Sequence, residues 1–156
     1  MCGTPRTEMT EKGAHMETVT GRLAAFAAGL RYEALPPDVV AKARTCLLHS
    51  IGAAIPSYND PHIRALRDVA TAEALPRRAG RNGSRIYVHG DRVSPLEAAF
   101  VNAAMSHRRA QEDTFASIHT GVVVVPTALA VGERLGRSGR DLLTAMVAGY
   151  EVTAAL

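Results

Sequence analysis

The chain has 156 residues, of which 47% are hydrophobic and 21% charged, and its formal charge at neutral pH is +3. This length fits one domain with a sizeable core, and the hydrophobic fraction excludes a wholly disordered chain. No apolar run approaches the roughly 18 residues that a membrane-spanning helix needs. The composition therefore predicts a soluble globular protein that does not enter a membrane.

The N-terminal segment, residues 1–16, is polar and shows no periodicity, which indicates a disordered leader. It lacks the apolar core of a secretory signal. Cys2 and Cys46 are the only cysteines, so a disulfide framework is not expected. Together these features favour a cytoplasmic location.

Apolar residues recur at helical spacing through the first half of the chain. The first predicted helix has one apolar face, made by Leu23, Phe26, Ala27 and Leu30. Pro36-Pro37 ends it, and a second helix runs from Asp38 to Pro56 with Leu48 among its apolar residues. A third helix is predicted from Pro61 to Leu75, with one apolar side made by Ile63, Leu66, Val69 and Ala70.

The middle of the chain is loop-like and rich in arginine. The arginines of this region are Arg77, Arg78, Arg81 and Arg85. A nucleic-acid site is one interpretation, but no aromatic residue is interleaved for base stacking, so we predict a solvated loop and no nucleic-acid partner. Residues 85–89 are β-prone and predict one short strand or extended arm before a turn at Gly90-Asp91.

The second half predicts three more helices. Ser94 and Glu97 flank Pro95 as a helix start, and this helix, with Leu96 and Phe100 among its apolar residues, fades near His107. A fifth helix spans about Val122 to Leu135, and Ser138 caps a sixth that has an inner side made by Leu142, Met146 and Tyr150. Six helices with at most one short strand predict an all-α helical bundle.

The last predicted helix continues to the final residue without a capping glycine or a polar tail. We therefore expect an apolar face on the last two helices that another molecule covers. Either a second copy of the chain, giving a homo-oligomer, or a second polypeptide that completes the domain would serve.

One segment, between the fourth and fifth helices, concentrates titratable side chains. Its candidate functional residues are His107, Glu112, Asp113, Thr114 and His119. Carboxylates beside imidazoles on a loop between rigid helices can be tuned for proton transfer. Two alternatives remain: a solvated loop whose acids neutralise Arg108 and Arg109, and a metal site, although the ligand spacing matches no standard pattern. A nucleotide cofactor is not predicted because there is no glycine-rich phosphate loop.

Several stretches carry a further pattern through their order and spacing. They are Leu23–Phe26, Leu35-Pro36, Leu47-Leu48, Ile51-Gly52, Asn102-Ala103, His107, Glu112-Asp113-Thr114, His119, Gly121, Val125-Pro126 and Gly149–Val152. Together they resemble the MmgE/PrpD family, which contains dehydratases and decarboxylases, over about residues 17–156.

The resemblance implies an all-helical domain of a lyase-type enzyme that removes water or carbon dioxide from a small di- or tricarboxylic acid without a cofactor or metal. The catalytic residues that it implies are His119, Asp113 and Glu112. The substrate-binding residues are Thr114 and His107. We expect Asp113 and His119 to share one pocket for an anionic small molecule.

The chain also departs from the family pattern. Ala110 stands where the acidic run of the family begins with aspartate, and His49 replaces another aspartate. Family members are longer, and their further catalytic residues, including a lysine and a tyrosine, come from a part that this sequence does not match. Two interpretations follow: a truncated, split or repurposed lyase, or a non-catalytic interaction module or pseudoenzyme subunit that keeps the fold.

Overall fold

The structure, a computed structural model, describes residues 18–73 and 83–155. The predicted leader at 1–16 and three arginines of the middle cluster, Arg77, Arg78 and Arg81, lie outside the described residues. The last two residues of the predicted third helix lie outside them as well. The domain boundary predicted at residue 17 therefore stays a prediction.

Six α-helices make up most of the described chain. They are α1 (Val19–Gly29), α2 (Pro37–Ala54), α3 (Pro61–Glu73), α4 (Pro95–His107), α5 (Gly121–Leu135) and α6 (Gly139–Ala154). Short 3-10 turns at Tyr32–Ala34 and Ile55–Ser57 flank α2. The all-α fold class predicted from the sequence is confirmed. None of the described helices combines the length and the apolarity that crossing a bilayer requires.

Local capping signals set the helix boundaries in the second half of the chain. The Ser94 hydroxyl accepts a hydrogen bond from the Glu97 backbone N–H, and the Glu97 carboxylate accepts one from the Ser94 N–H. Ser138 and Asp141 form the same reciprocal pair at the start of α6. After α5, Gly136 adopts a left-handed φ of 61°, which ends the helix. These three boundaries confirm the sequence prediction.

A small hairpin differs in detail from the single extended segment predicted over residues 85–89. Strands β1 (Ser84–Arg85) and β2 (Arg92–Val93) pair in antiparallel register. The segment between the strands forms a turn. The Ile86 N–H donates to the Asp91 carbonyl and the Gly90 N–H donates to the Ile86 carbonyl, and these two bonds close the turn. The pattern indicated extended structure but not the partner strand, because β2 is only two residues long.

The amide of Asn102 on α4 attaches this hairpin to the helices. Its Oδ1 accepts the Tyr87 backbone N–H at 2.8 Å, and its Nδ2 donates to the Arg85 carbonyl at 2.9 Å. Nearby, the Ser84 hydroxyl donates to the Ala130 carbonyl of α5. The hairpin is thus held by polar contacts to two helices, and Asn102 is almost fully buried beneath it.

Two apolar clusters form the core. The first joins α3, the hairpin and α4 with the end of α2 and with α5, through Ala54, Ile63, Ala70, Ile86, Val93, Ala98, Val101, Met105 and Ala130. The second joins α2, α5 and α6 through Val40, Ala43, Cys46, Val125, Leu143, Met146 and Val147. Helix α5 contributes Ala130 to the first cluster and Val125 to the second.

Some large apolar side chains assigned to helix faces are exposed. Leu48 is 72% exposed and Leu96 is 80% exposed, and the others are Phe26, Val69 and Phe100. The buried stripes of α2 and α4 run instead through small or polar residues such as Ala43, Ser50 and Ala98. Helix α5 also exposes large apolar residues, while the partner expected to cover the last two helices stays a prediction.

The carboxylates of Asp91 and Asp60 connect α3 and the residue before it to other elements of the fold. Arg67 of α3 donates to Asp91 in the hairpin from Nε at 2.5 Å and from Nη2 at 3.1 Å, and this bond keeps the pKa of Asp91 below its ordinary value. Asp60 accepts the His62 backbone N–H and a hydrogen bond from Arg108. The His62 N–H is the main reason that the pKa of Asp60 falls to about 2.

We expect stability to fall as the pH drops below about 4. A carboxyl with a folded pKa below its unfolded value stabilises the protein above the unfolded pKa, and this contribution is lost as the pH falls through the folded pKa. The midpoint of urea unfolding should therefore decrease between about pH 4 and pH 2, and Asp60→Asn should make that decrease smaller. Asp68→Asn, at an exposed site on α3, is the control that should leave the slope unchanged. An equal slope in wild type and Asp60→Asn would contradict the assignment.

Candidate functional site

The loop between α4 and α5 is fixed near its start by two backbone contacts. The Ala110 N–H donates to the His107 carbonyl at 2.8 Å, and Ala110 has a left-handed φ of 48°. On the other side, His49 of α2 donates from Nε2 to the Gln111 carbonyl at 2.6 Å. Together these contacts turn the chain so that the next residue, Glu112, is buried.

Glu112 holds two histidines with one carboxylate oxygen. Its side chain is fully buried, and its Oε1 accepts hydrogen bonds from Nδ1 of His107 and from Nδ1 of His119, the second at 2.7 Å. The two rings meet edge to face with centroids 5.1 Å apart, and each is about half exposed. We call these three residues the His–Glu–His cluster.

The protonation state of Glu112 follows from competing effects. Burial raises its pKa, but its backbone hydrogen bond and the two imidazole bonds lower it, and the pKa ends below the ordinary value. Glu112 is therefore ionised at neutral pH and can only accept hydrogen bonds. Each neutral imidazole then carries its proton on Nδ1, which leaves Nε2 as a proton acceptor. The second carboxylate oxygen, Oε2, is buried and has no hydrogen-bond partner among the described residues.

A cavity of about 410 Å³ opens beside the same loop. We call it the Tyr150 cavity. It is lined from the loop by Asp113, Thr114 and Phe115, and from α2 and α6 by Asp38, Val39, Lys42, Ala43, Cys46, Val147, Tyr150 and Glu151. Because the elements are distant in sequence, the cavity depends on the packing of α2 against α6.

Asp113 lies at the wall of this cavity against the start of α5. Its Oδ2 accepts a hydrogen bond from the Tyr150 hydroxyl at 2.6 Å, and its Oδ1 is buried without a partner among the described residues. A Cβ on Gly121 would lie 2.2 Å from that Oδ1. Only glycine therefore lets the carboxylate approach the helix N-terminus, where the helix dipole favours negative charge.

The Tyr150 phenol and the Cys46 thiol of the cavity keep their protons at neutral pH. Burial, followed by the hydrogen bond and charge of Asp113, raises the pKa of the Tyr150 phenol. Burial and then the charge of Asp113 also raise the pKa of the Cys46 thiol, against the opposing effect of Lys42. The described lining holds three carboxylates, from Asp38, Asp113 and Glu151, and one ammonium group, from Lys42.

The structure divides the predicted site residues into two groups. Asp113 and Thr114 line the Tyr150 cavity, whereas His107, Glu112 and His119 form the separate cluster. His119 is not among the residues that line the cavity, because Glu112 holds its ring.

The solvated-loop alternative also differs from the observed contacts. Arg108 pairs with Asp60 rather than with an acid of the loop, and both described oxygen contacts of Glu112 go to histidines. The acids of the loop are therefore engaged by imidazole and phenol groups, not by the neighbouring arginines.

Sequence reasoning did not assign Lys42, Cys46 or Tyr150 to the site. Tyr150 was predicted on the inner side of the last helix, so its position carried a signal, but its partner Asp113 is 37 residues away in the chain. Lys42 and Cys46 lie one helical turn apart on α2 and carried no such signal.

Comparisons with known proteins found one matching family model and similar curated proteins. The family model described as the MmgE/PrpD N-terminal domain matches residues 21–156. Two curated proteins named cis-aconitate decarboxylase, from Aspergillus terreus and from its strain NIH 2624 / FGSC A1156, are 24% identical over 145 residues. The match covers 85% of this chain but only 28% of each relative. No solved structure matches the chain at comparable significance.

Proposed function

The chain belongs to the MmgE/PrpD family, and from that premise we propose that it takes part in lyase chemistry, dehydration or decarboxylation, on a small carboxylic acid. The observation that carries the proposal is the pair of half-exposed imidazoles oriented by the buried carboxylate of Glu112. The similarity to cis-aconitate decarboxylase supports the substrate class.

The cluster suits the proton transfers that such reactions need. Dehydration requires a base that removes a proton and an acid that protonates the leaving hydroxide, and decarboxylation requires an acid that protonates the carbanion. With Nδ1 bonded to Glu112, Nε2 of His119 can accept a proton, and the buried carboxylate stabilises the resulting imidazolium. His107 shares the same oxygen and can serve as the second proton carrier.

The Tyr150 cavity, whose lining residue Asp113 directly follows Glu112 in the loop, supplies groups that can hold one end of the substrate. Thr114 offers a hydroxyl, and Lys42 offers a positive charge for a substrate carboxylate. Three carboxylates in the lining oppose an anion, so further cations must offset them. The matched relatives are more than three times as long as the part aligned here, and we propose that a second copy or another polypeptide supplies the missing groups.

Loss of the His119 imidazole is expected to abolish most turnover. The purified chain would be incubated with small di- and tricarboxylic acids, including cis-aconitate, in deuterated water, and product formation and deuterium uptake followed by NMR. His119→Ala should lower kcat by at least ~100-fold, because positioned general acids and bases contribute that much. Glu112→Gln should lower it ~10–100-fold by releasing both rings.

His62→Ala is the matched control for this assay. Its side chain is 78% exposed and belongs to the α3 start rather than to the cluster, so turnover should not change. Turnover that is equal in wild type and His119→Ala would contradict the proposed role.

A second candidate function is a non-catalytic subunit that keeps the family fold. The acidic excess of the Tyr150 cavity favours it, because an anionic substrate meets more repulsion than attraction there. In that case wild type shows no turnover with any of these acids, alone or with a co-purifying polypeptide, while association with that polypeptide persists in His119→Ala.

A further inference from the structure

The His–Glu–His cluster brings three metal-binding side chains together. One ligand atom from each of His107, Glu112 and His119 lies within 4.8 Å of the other two. Two of these side chains come from the ends of rigid elements, since His107 is the last residue of α4 and His119 lies two residues before α5. The positions of these two histidines are therefore fixed by the helices as well as by the loop.

The hydrogen bonds inside the cluster all go to one of the two oxygens of the Glu112 carboxylate. Both Nδ1 atoms approach the same oxygen, Oε1, whereas Oε2 is buried and has no partner among the described residues. A buried carboxylate oxygen without a partner costs free energy. A cation between the rings and the carboxylate would neutralise this buried charge.

From this geometry we propose that His107, Glu112 and His119 bind one divalent first-row transition-metal ion. The inference does not rest on the proposed lyase function: a bound ion would replace the Nδ1 protons of both imidazoles and would exclude the proton-transfer role while it is bound. Bonds of 2.0–2.2 Å in a tetrahedral site place ligand atoms ~3.4 Å apart, so each imidazole nitrogen must move away from the Glu112 oxygen by up to about an ångström. Both rings are half exposed and can make that adjustment.

The ligand types select the class of ion. Two imidazoles and one carboxylate suit zinc, iron(II), cobalt(II) and their neighbours, whereas magnesium and calcium prefer all-oxygen sites. Three protein ligands leave at least one coordination position for water or a small molecule. The hydrogen bond from His49 to the Gln111 carbonyl holds the residue before Glu112 in place, as groups that hydrogen-bond around the ligands do in metal sites.

The test measures metal binding directly on the full chain. Protein stripped with a chelator would be titrated with Zn²⁺ by calorimetry and with Co²⁺ by visible absorption. Cys2→Ser and His15→Ala would be present in every sample, because these two side chains of the N-terminal segment could also bind metal. We expect one ion per chain with micromolar or tighter affinity, and a Co²⁺ spectrum typical of nitrogen and oxygen ligands.

Variants locate the site. His107→Ala and Glu112→Gln should each weaken binding by at least ~10-fold, while the control His62→Ala should not change it. Circular dichroism without metal shows whether each variant is folded. If Glu112→Gln is not folded, His119→Ala, at a half-exposed position, replaces it in the binding measurement. Binding weaker than millimolar in wild type, or equal affinity in wild type, His107→Ala and His119→Ala, would overturn the proposal and leave a purely hydrogen-bonded cluster.

Discussion

Gly121→Ala is expected to displace the Asp113 carboxylate and to lower the free energy of unfolding by about 1–3 kcal/mol. The new methyl carbon would lie 2.2 Å from Oδ1 and 2.7 Å from Cγ of Asp113, distances too short for atoms that are not bonded to each other. The carboxylate must therefore move, and its hydrogen bond from Tyr150 is lost. The same movement changes the wall of the Tyr150 cavity.

A matched substitution in the same helix isolates this effect. Gly132 lies in the last turn of α5, and a Cβ there meets no atom within 4 Å. Gly132→Ala should raise stability by about 0.5–1 kcal/mol through helix propensity alone. Urea unfolding of both variants, with Tyr150→Phe as a separate measure of the lost bond, completes the experiment. Equal stability of Gly121→Ala and wild type would show that Asp113 does not lie against α5.

Asn102→Ala is expected to reduce stability by about 2–4 kcal/mol, because it leaves two part-buried backbone groups without their hydrogen-bond partners. The Tyr87 N–H and the Arg85 carbonyl both bond to the Asn102 amide. The amide is 1% exposed, so water cannot replace it without opening the contact between the hairpin and α4.

Hydrogen exchange gives this prediction a local readout. The Tyr87 amide should lose protection in Asn102→Ala, whereas amides in the middle of α6 should keep theirs relative to the new global stability. Asn59→Ala, at an exposed turn position, is the control and should change stability by less than about 0.5 kcal/mol. A loss below about 1 kcal/mol in Asn102→Ala would mean that the hairpin is held by apolar packing alone.

The helices could be predicted from the sequence because their signals are local. Ser94 and Glu97, like Ser138 and Asp141, lie three residues apart and form the capping pairs that the pattern indicated. The rotation of each helix was harder to predict. Leu96 is exposed while Ala98 is buried, since distant elements decide which face of α4 they cover.

The site was predictable only in part for the same reason. The loop that carries His107, Glu112 and His119 stood out by composition, and these residues do meet. The sequence could not predict that the two histidines share Glu112. The peptide before Glu112 is held by His49, which lies 62 residues away from Gln111 in the chain. Tyr150 likewise reaches Asp113 across a long stretch of chain.

The left-handed conformation of Ala110 bears on what a substitution at this position would do. Alanine in such a backbone costs about 1–2 kcal/mol, whereas aspartate adopts it more readily. Ala110→Asp would therefore add a carboxylate to the loop while the existing turn keeps its shape.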